Sequence, residues 1–258
     1  MVASCPSTWA SEQARVTRIV VTGMTDVSVE AVEDRLGSIR ARVTRAAEGA
    51  GRDPASVRLL AVTKGHGAQA VAVAAQLGLR DVGESRVQEA QAKRAATQDP
   101  SLSWHMIGHL QRNKARLAAS LFDTVHSVDG LALATALARN RSGAAALPVF
   151  VEVELTGIPG RSGVQPGDAP ALLAALRGLP QLELAGLMTI APPGPPGAVA
   201  DCFSQLRDLA SMLRERTAMA LPGLSMGMSG DFEVAIAHGA TIIRLGRALF
   251  GEPVGAGT

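Results

Sequence analysis

Eight short apolar runs, each followed by a stretch of helical composition, recur along most of this chain, and that alternation leaves few folds open. The runs lie at 57–62, 81–83, 104–108, 124–127, 148–153, 184–190, 224–227 and 241–245. Between them come stretches of helical composition such as 68–77, 87–95, 131–138, 169–176, 198–216 and 232–237. Strands that read as nearly continuous apolar runs are buried on both faces, as strands of a parallel sheet covered by helices are. A chain of 258 residues has the usual length of one (β/α)8 barrel. The competitor is an open doubly wound sheet, which usually has fewer strands and a glycine fingerprint after the first. No GxGxxG follows 57–62. The expected fold is therefore α/β, a single (β/α)8 TIM barrel over 27–258, with an extra N-terminal helix. That helix is read from Val29, Val32, Leu36, Ile39, Val43 and Ala46 at helical spacing, with Ser28 or Asp26 as its cap. Residues 1–26 read as a tail, and Met24 as a possible natural start.

Composition removes several function classes. The formal net charge is +2, without a run of like charges, and aromatic residues make up 3% of the chain with no tyrosine. A phosphate-tracking groove with stacking platforms has little to be built from, so nucleic acid is not expected as a partner. No apolar run approaches the ~18 residues of a membrane span. Cys5 and Cys202 stand alone, which fits a reducing cytoplasm and gives neither a disulfide framework nor a zinc site. Cys202 reads as a buried structural thiol. His105, His109 and His126 sit near strand ends and read as lining the mouth of the barrel. His66 reads as exposed loop, and His238 as closing a helix before Gly239. No pair has metal-ligand spacing, so no metal is expected. The segment 192–197 reads as a surface loop on the face where strands end.

In a barrel, ligand-handling groups come from the C-terminal ends of the strands. The first run ends in Lys64. Only three of the 25 basic residues are lysines, namely Lys64, Lys93 and Lys114. Arginine cannot form an imine, whereas a desolvated lysine can attack an aldehyde. Lys64 is thus either a Schiff-base amine or an ion-pair partner of a carboxylate such as Glu84 or Glu152. Lys93 reads as a solvated mid-helix residue, and Lys114 as a secondary ligand or surface charge. The last two runs lead into Gly227-Met228-Ser229-Gly230 and Gly246-Arg247, small residues at helix starts. Exposed amides there suit a phosphate, with Ser229 adding a hydroxyl and Arg244 or Arg247 a charge. The other reading is plain turn geometry. A nucleophilic lysine facing a phosphate cradle suggests pyridoxal 5′-phosphate (PLP).

These segments resemble the pyridoxal phosphate homeostasis proteins, the YggS/PROSC family related to the N-terminal domain of alanine racemase. The resemblance runs from about Val27 to Gly251. It is carried by Ala61-Val62-Thr63-Lys64, the stretch 82–89, Trp104-His105-Met106-Ile107-Gly108 and on to Lys114, Val125-His126-Ser127-Val128-Asp129, the stretch 186–190, Leu224-Ser225-Met226-Gly227-Met228-Ser229, and Arg244-Leu245-Gly246 with Phe250-Gly251. It implies PLP held at Lys64, with its phosphate at Ser229, Arg244 and the amides around Gly246 and Arg247, and with Met226 beside the ring. Two departures are Ser85, where the family usually has Asn, and Arg161, where it commonly has Lys. Ser85 leaves a shorter hydrogen-bonding group for the ring or the lysine, and Arg161 cannot accept an aldehyde.

The implied function is to bind PLP as a Schiff base, buffer it and deliver it to apo PLP-dependent enzymes, as a cytoplasmic monomer without catalytic turnover. The alternative is a PLP-dependent amino-acid racemase or decarboxylase. A racemase needs an acid/base on the opposite face of the cofactor, and no tyrosine exists to supply it. A third possibility is a barrel for some other phosphate ligand.

Overall fold

The computed structural model describes residues 27–143, 145–217 and 219–253. The expected tail at 1–26, Met24 and Cys5 lie outside the described residues. Ser28 caps the first helix, α1 (Val29–Gly49), by accepting from Ala31 N–H at 3.2 Å, as sequence spacing suggested. Its apolar face buries Val32, Leu36, Ile39 and Ala47.

Eight parallel strands close in sequence order into a barrel: β1 (Arg58–Val62), β2 (Asp81–Glu84), β3 (Ser103–Met106), β4 (Thr124–Val128), β5 (Leu147–Glu152), β6 (Leu182–Met188), β7 (Gly223–Ser225) and β8 (Ile242–Leu245). The seam is β1 against β8, with Arg58 opposite Ile242 and Ala61 opposite Leu245. Between the strands run α2 (Ala68–Gln76), α3 (Val87–Thr97), α4 (Ala115–Leu121), α5 (Leu131–Asn140), α6 (Ala169–Leu176), α7 (Pro196–Thr217) and α8 (Phe232–Ala237), and α9 (Arg247–Phe250) follows β8. The segment 192–197 is only partly loop, because α7 already begins at Pro196, where proline suits the first turn of a helix. Among the described residues no helix is long and apolar enough to cross a membrane.

Two cores result. The larger lies between strands and helices and takes in Val71, Val82, Val125, Leu187 and Phe232. The smaller, Leu60, Phe150, Met188 and Ile242, fills part of the barrel interior. Strand alternation sorts residues between the two, so neighbours such as Ser225 and Met226 face opposite ways. On the outside, α1 packs on α8 and α9. Arg42 Nε donates to Glu233 at 2.6 Å while its guanidinium lies 4.5 Å from the Phe232 ring centroid.

The contact of β5, β6 and β7 permits no extra atoms. A register shift falls between Val149 and Phe150, where Ala185 of β6 is skipped. The next residue, Gly186, takes φ +154°, and a Cβ there would lie 1.9 Å from the Gly223 carbonyl oxygen. At Gly223 a Cβ would come within 2.5 Å of the Phe150 ring. Both glycines let the bulged strand lie against its neighbour. Gly186→Ala is therefore expected to destabilise the protein by about 2–4 kcal/mol, since backbone strain and overpacking act together. A denaturation midpoint equal to the wild type's would show that the strands can part at no cost.

Candidate functional site

The first strand hands the chain to a tight turn. His66 N–H bonds back to the Thr63 carbonyl at 3.0 Å, and Gly65 has φ +79°. Lys64 sits on this turn, exposed, at the C-terminal rim of the barrel. Among the described residues it makes no hydrogen bond or ion pair, so neither Glu84 nor Glu152 holds it.

The reason is Lys93. Read from sequence as a solvated residue of α3, it is 5% exposed. Its ammonium donates to the Thr63 carbonyl, to Glu84 Oε1 and to Glu89 Oε1, each at 2.7 Å. Thr63 Oγ1 also donates to Glu84 Oε1, at 2.5 Å, and Glu89 accepts from Gly65 N–H at 2.8 Å. Helix α3 thus turns its lysine inward against the ends of β1 and β2, and fastens both sides of the Lys64 turn. Burial pushes the Glu84 carboxyl above its ordinary range despite Lys93. Burial also acts upward on Glu89, but Lys93 and the Gly65 amide outweigh it and leave that carboxyl below the ordinary range.

Ser85 follows β2, half-buried. A Cβ on Gly108, which follows β3, would stand 2.5 Å from the Ser85 carbonyl oxygen. The rims of β2 and β3 therefore touch, and position 108 has room only for glycine. His109 is exposed, with Nδ1 3.3 Å from Asp129 and 3.1 Å from Ser162 Oγ. Arg161 donates to the carbonyls of Ile190 and Ala191 at 3.0 and 3.4 Å.

Across the mouth from Lys64, at the end of β5, stands Glu152. It is 6% exposed, and its Oε2 has no hydrogen-bond partner among the described residues. Burial, and then the charge of Asp129, push its carboxyl up to about 7 against the pull of Arg244 and Arg161. It lines a cavity of about 280 Å³ with Ile107, Gly108, His109, Arg161 and Ile190.

The last two strands end in the expected turns. Gly227 has φ +93°, and Met228 N–H donates to Asp231 Oδ1 at 2.5 Å. Ser229 Oγ accepts from Ala248 N–H at 3.1 Å, which joins the loop after β7 to the turn after β8. A Cβ on Gly246 would stand 3.1 Å from the Val62 carbonyl oxygen, so this turn approaches the end of β1, two residues before Lys64. Arg247 is exposed, 3.6 Å from Glu252. Arg244 is fully inside: its Nη1 donates to Ser225 O at 2.7 Å and Oγ at 2.9 Å, and its Nη2 to Thr189 O at 3.0 Å. Burial lowers its pKa to about 10, with Glu152 and Asp231 acting in the opposite sense, so it stays charged at neutral pH.

Several expectations need correction. Met226 takes the outward position after Ser225 and is wholly buried in the larger core, so it does not line the mouth. His105 and His126 are buried inside the barrel, bonded to each other. His66 is buried rather than exposed, 5.5 Å from the Phe250 ring. His238 does cap α8, with Nδ1 2.9 Å from Ser204 Oγ. Cys202 is buried, which raises its thiol pKa. Sequence reasoning missed the Lys93 cluster altogether. A signal existed in the i,i+4 spacing of Glu89 and Lys93.

Residues 35–253 match the family described as alanine racemase, N-terminal domain. The pyridoxal phosphate homeostasis protein of Pseudomonas aeruginosa is 45% identical over 222 residues, covering 85% of this chain and 95% of the relative. The protein of that name from Mycobacterium leprae is 39% identical over 238 residues, covering 84% and 90%. Among solved structures, PipY of Synechococcus elongatus with PLP bound has a TM-score of 0.75 at 41% identity, covering 85% of this chain and all of that one. On a family match over residues 35–253 and relatives of this identity and coverage, the chain belongs to the alanine racemase N-terminal domain family and, within it, to the pyridoxal phosphate homeostasis proteins.

Proposed function

We propose that this protein binds PLP and serves vitamin B6 homeostasis in the cytoplasm, as a monomer that holds the cofactor and releases it to apo-enzymes. The observation that carries the reading is Lys64, an amine without a partner among the described residues, on a turn fastened from below, beside the Gly246 turn, whose backbone approaches the end of β1 so closely that a Cβ would stand 3.1 Å from the Val62 carbonyl oxygen. The donor chemistry fits the group. An amine suits a carbonyl, and the Ser229 hydroxyl with the close-approaching Gly246–Arg247 turn suits a phosphate dianion. The relative PipY, at 41% identity, has been solved with PLP bound.

When bound, PLP supplies a reactive carbonyl and an electron-withdrawing ring. The residues of the chain divide the remaining work. Lys93, Glu84 and Glu89 take up one another's charge and leave Lys64 free to react. Ser229 and the turn at Gly246 and Arg247 anchor the anionic end. Arg244, committed to Ser225 of β7 and to Thr189 just after β6, is a fixed charged wall and not a mobile clamp on the phosphate. Ser85, half-buried beside Gly108, offers a hydroxyl at the same rim. Arg161, tied to two carbonyls, has no amine for a carbonyl to join, so a handover through that position is not part of this reading.

A second reading, a PLP-dependent racemase or decarboxylase, draws support from Glu152. It is a buried carboxyl across the mouth that can hold or give up a proton near pH 7. Incubation of the loaded protein with L- and D-amino acids separates the two. Racemisation or decarboxylation above background, lost in Glu152→Gln, would establish turnover, whereas unchanged amino acids support the carrier.

Borohydride reduction of the PLP-loaded protein should attach one cofactor at Lys64, and Lys64→Ala should remove both that adduct and the visible absorption band. Labelling confined to Lys93 or Lys114 would refute the assignment. Ser229→Ala should weaken PLP binding by about three- to tenfold, the worth of one hydrogen bond; an unchanged dissociation constant would place the phosphate elsewhere. Glu152 also makes stability depend on pH. Its carboxyl titrates near 4.5 when unfolded and near 7 when folded, so the penalty is absent below the first value and complete above the second. Glu152→Gln should therefore stabilise the protein at pH 8 by about 1–3 kcal/mol, the loss of its charge beside Arg244 reducing the gain, and change little at pH 4.5. Equal effects at both pH values would mean that folding does not raise the Glu152 pKa.

A further inference from the structure

The interior of a (β/α)8 barrel is ordinarily filled by branched aliphatic side chains. Here the apolar floor shares that interior with a file of polar groups. Arg244 Nη1 lies 2.9 Å from Ser225 Oγ, Ser225 Oγ lies 2.8 Å from His126 Nδ1, and His126 Nε2 lies 2.9 Å from His105 Nδ1. His105 Nε2 lies 3.0 Å from Asp81 Oδ1, with Ser103 Oγ at 3.2 Å beside it. The file runs from β8 to β7, crosses the barrel to β4, passes to β3, and ends at the first residue of β2. Asp81 there also accepts from Arg58 Nη2 at 2.8 Å, and it lines a cavity of about 620 Å³ at the end opposite the mouth.

With both imidazoles neutral, the carboxylate end sets the direction of every bond back to the serine. A guanidinium can only donate, and a carboxylate can only accept. Arg244 donates to Ser225 Oγ, whose own hydrogen then goes to His126 Nδ1. His126 must carry its proton on Nε2, which donates to His105 Nδ1. His105 in turn carries its proton on Nε2 and donates to Asp81. Adding a proton to His105 would reverse both imidazole bonds and leave the Ser225 hydroxyl hydrogen without an acceptor in a fully buried place. His126 is kept neutral first by burial and then by the Arg244 charge, both of which lower its pKa, and its ring is stacked 4.5 Å from that of Phe150.

We propose that Asp81, His105, His126 and Ser225 form a one-way hydrogen-bond relay that positions Arg244, holding its guanidinium in a single orientation beneath the mouth through groups that never touch the ligand. The proposal rests on the PLP reading of that mouth. A charge held near the ring of a bound cofactor tunes its electronics, so loosening the relay should register in the spectrum of the cofactor as well as in affinity.

Two measurements test it. In the ligand-free protein with 15N-labelled histidine, both His105 and His126 should be neutral Nε2–H tautomers at pH 7.5; a proton on Nδ1 of either would overturn the relay. In the second, His126→Phe keeps the ring and its stacking but removes both hydrogen bonds, while His126→Gln restores one acceptor and one donor. With PLP, His126→Phe should bind about tenfold more weakly and shift the absorption maximum of the bound cofactor. His126→Gln should recover part of each, and Ser229→Ala should weaken binding without moving the maximum. A His126→Phe protein with a superimposable spectrum would overturn the proposal alone. Should that variant fail to fold, Ser225→Ala carries the same expectation. A wild-type protein that takes up no PLP would overturn the functional reading, an outcome distinct from a bound cofactor with an unmoved spectrum.

Discussion

A guanidinium enclosed in a barrel must have partners for its N–H groups, because an uncompensated buried charge is among the most costly defects a fold can carry. Arg244 meets that demand with a serine hydroxyl and two main-chain carbonyls, one on β7 and one at Thr189 just after β6. Much else in the interior follows. Ser225 must be small and must pass its own hydrogen onward, which calls for an acceptor at His126. The flat ring of Phe150 gives that imidazole an apolar face to lie on. Phe150 in turn occupies space at Gly223, so the β6–β7 contact has no place for a side chain there. The packing of the floor and the charge near the mouth are consequences of the same requirement.

The strands and helices were legible because their signals are local. Apolar runs bounded by Gly, Pro or Asp have the length of strands, and the limits of α6 and α8 were read without error. Strand ends drifted by a residue or two where apolar character outlasts the ladder, as at Ile190, which lies beyond β6. Side-chain direction was harder to read. Whether His105 and His126 face the mouth or the interior depends on the phase of each strand around the barrel, which closure sets and no single run displays. Met226 failed for the same reason, one residue out of phase with Ser225.

Lys93 and Lys64 exchanged the roles that composition alone would give them. Mid-helix lysines are generally solvated, and a lysine at a strand end invites an ion pair. Tertiary contact decided otherwise, because α3 presents Lys93 to two carboxylates and a carbonyl at the ends of β1 and β2. The amine on the turn has no ion pair among the described residues because another amine has taken the acids.

That arrangement limits how the sequence can drift. Thr63, Glu84, Glu89 and Lys93 share one proton-rich knot in which each member answers for the others, so a replacement at any one position exposes a mismatch at the remaining three. Viable descendants of this chain should alter the quartet jointly or leave it untouched, even though only one of its four members lies on a strand.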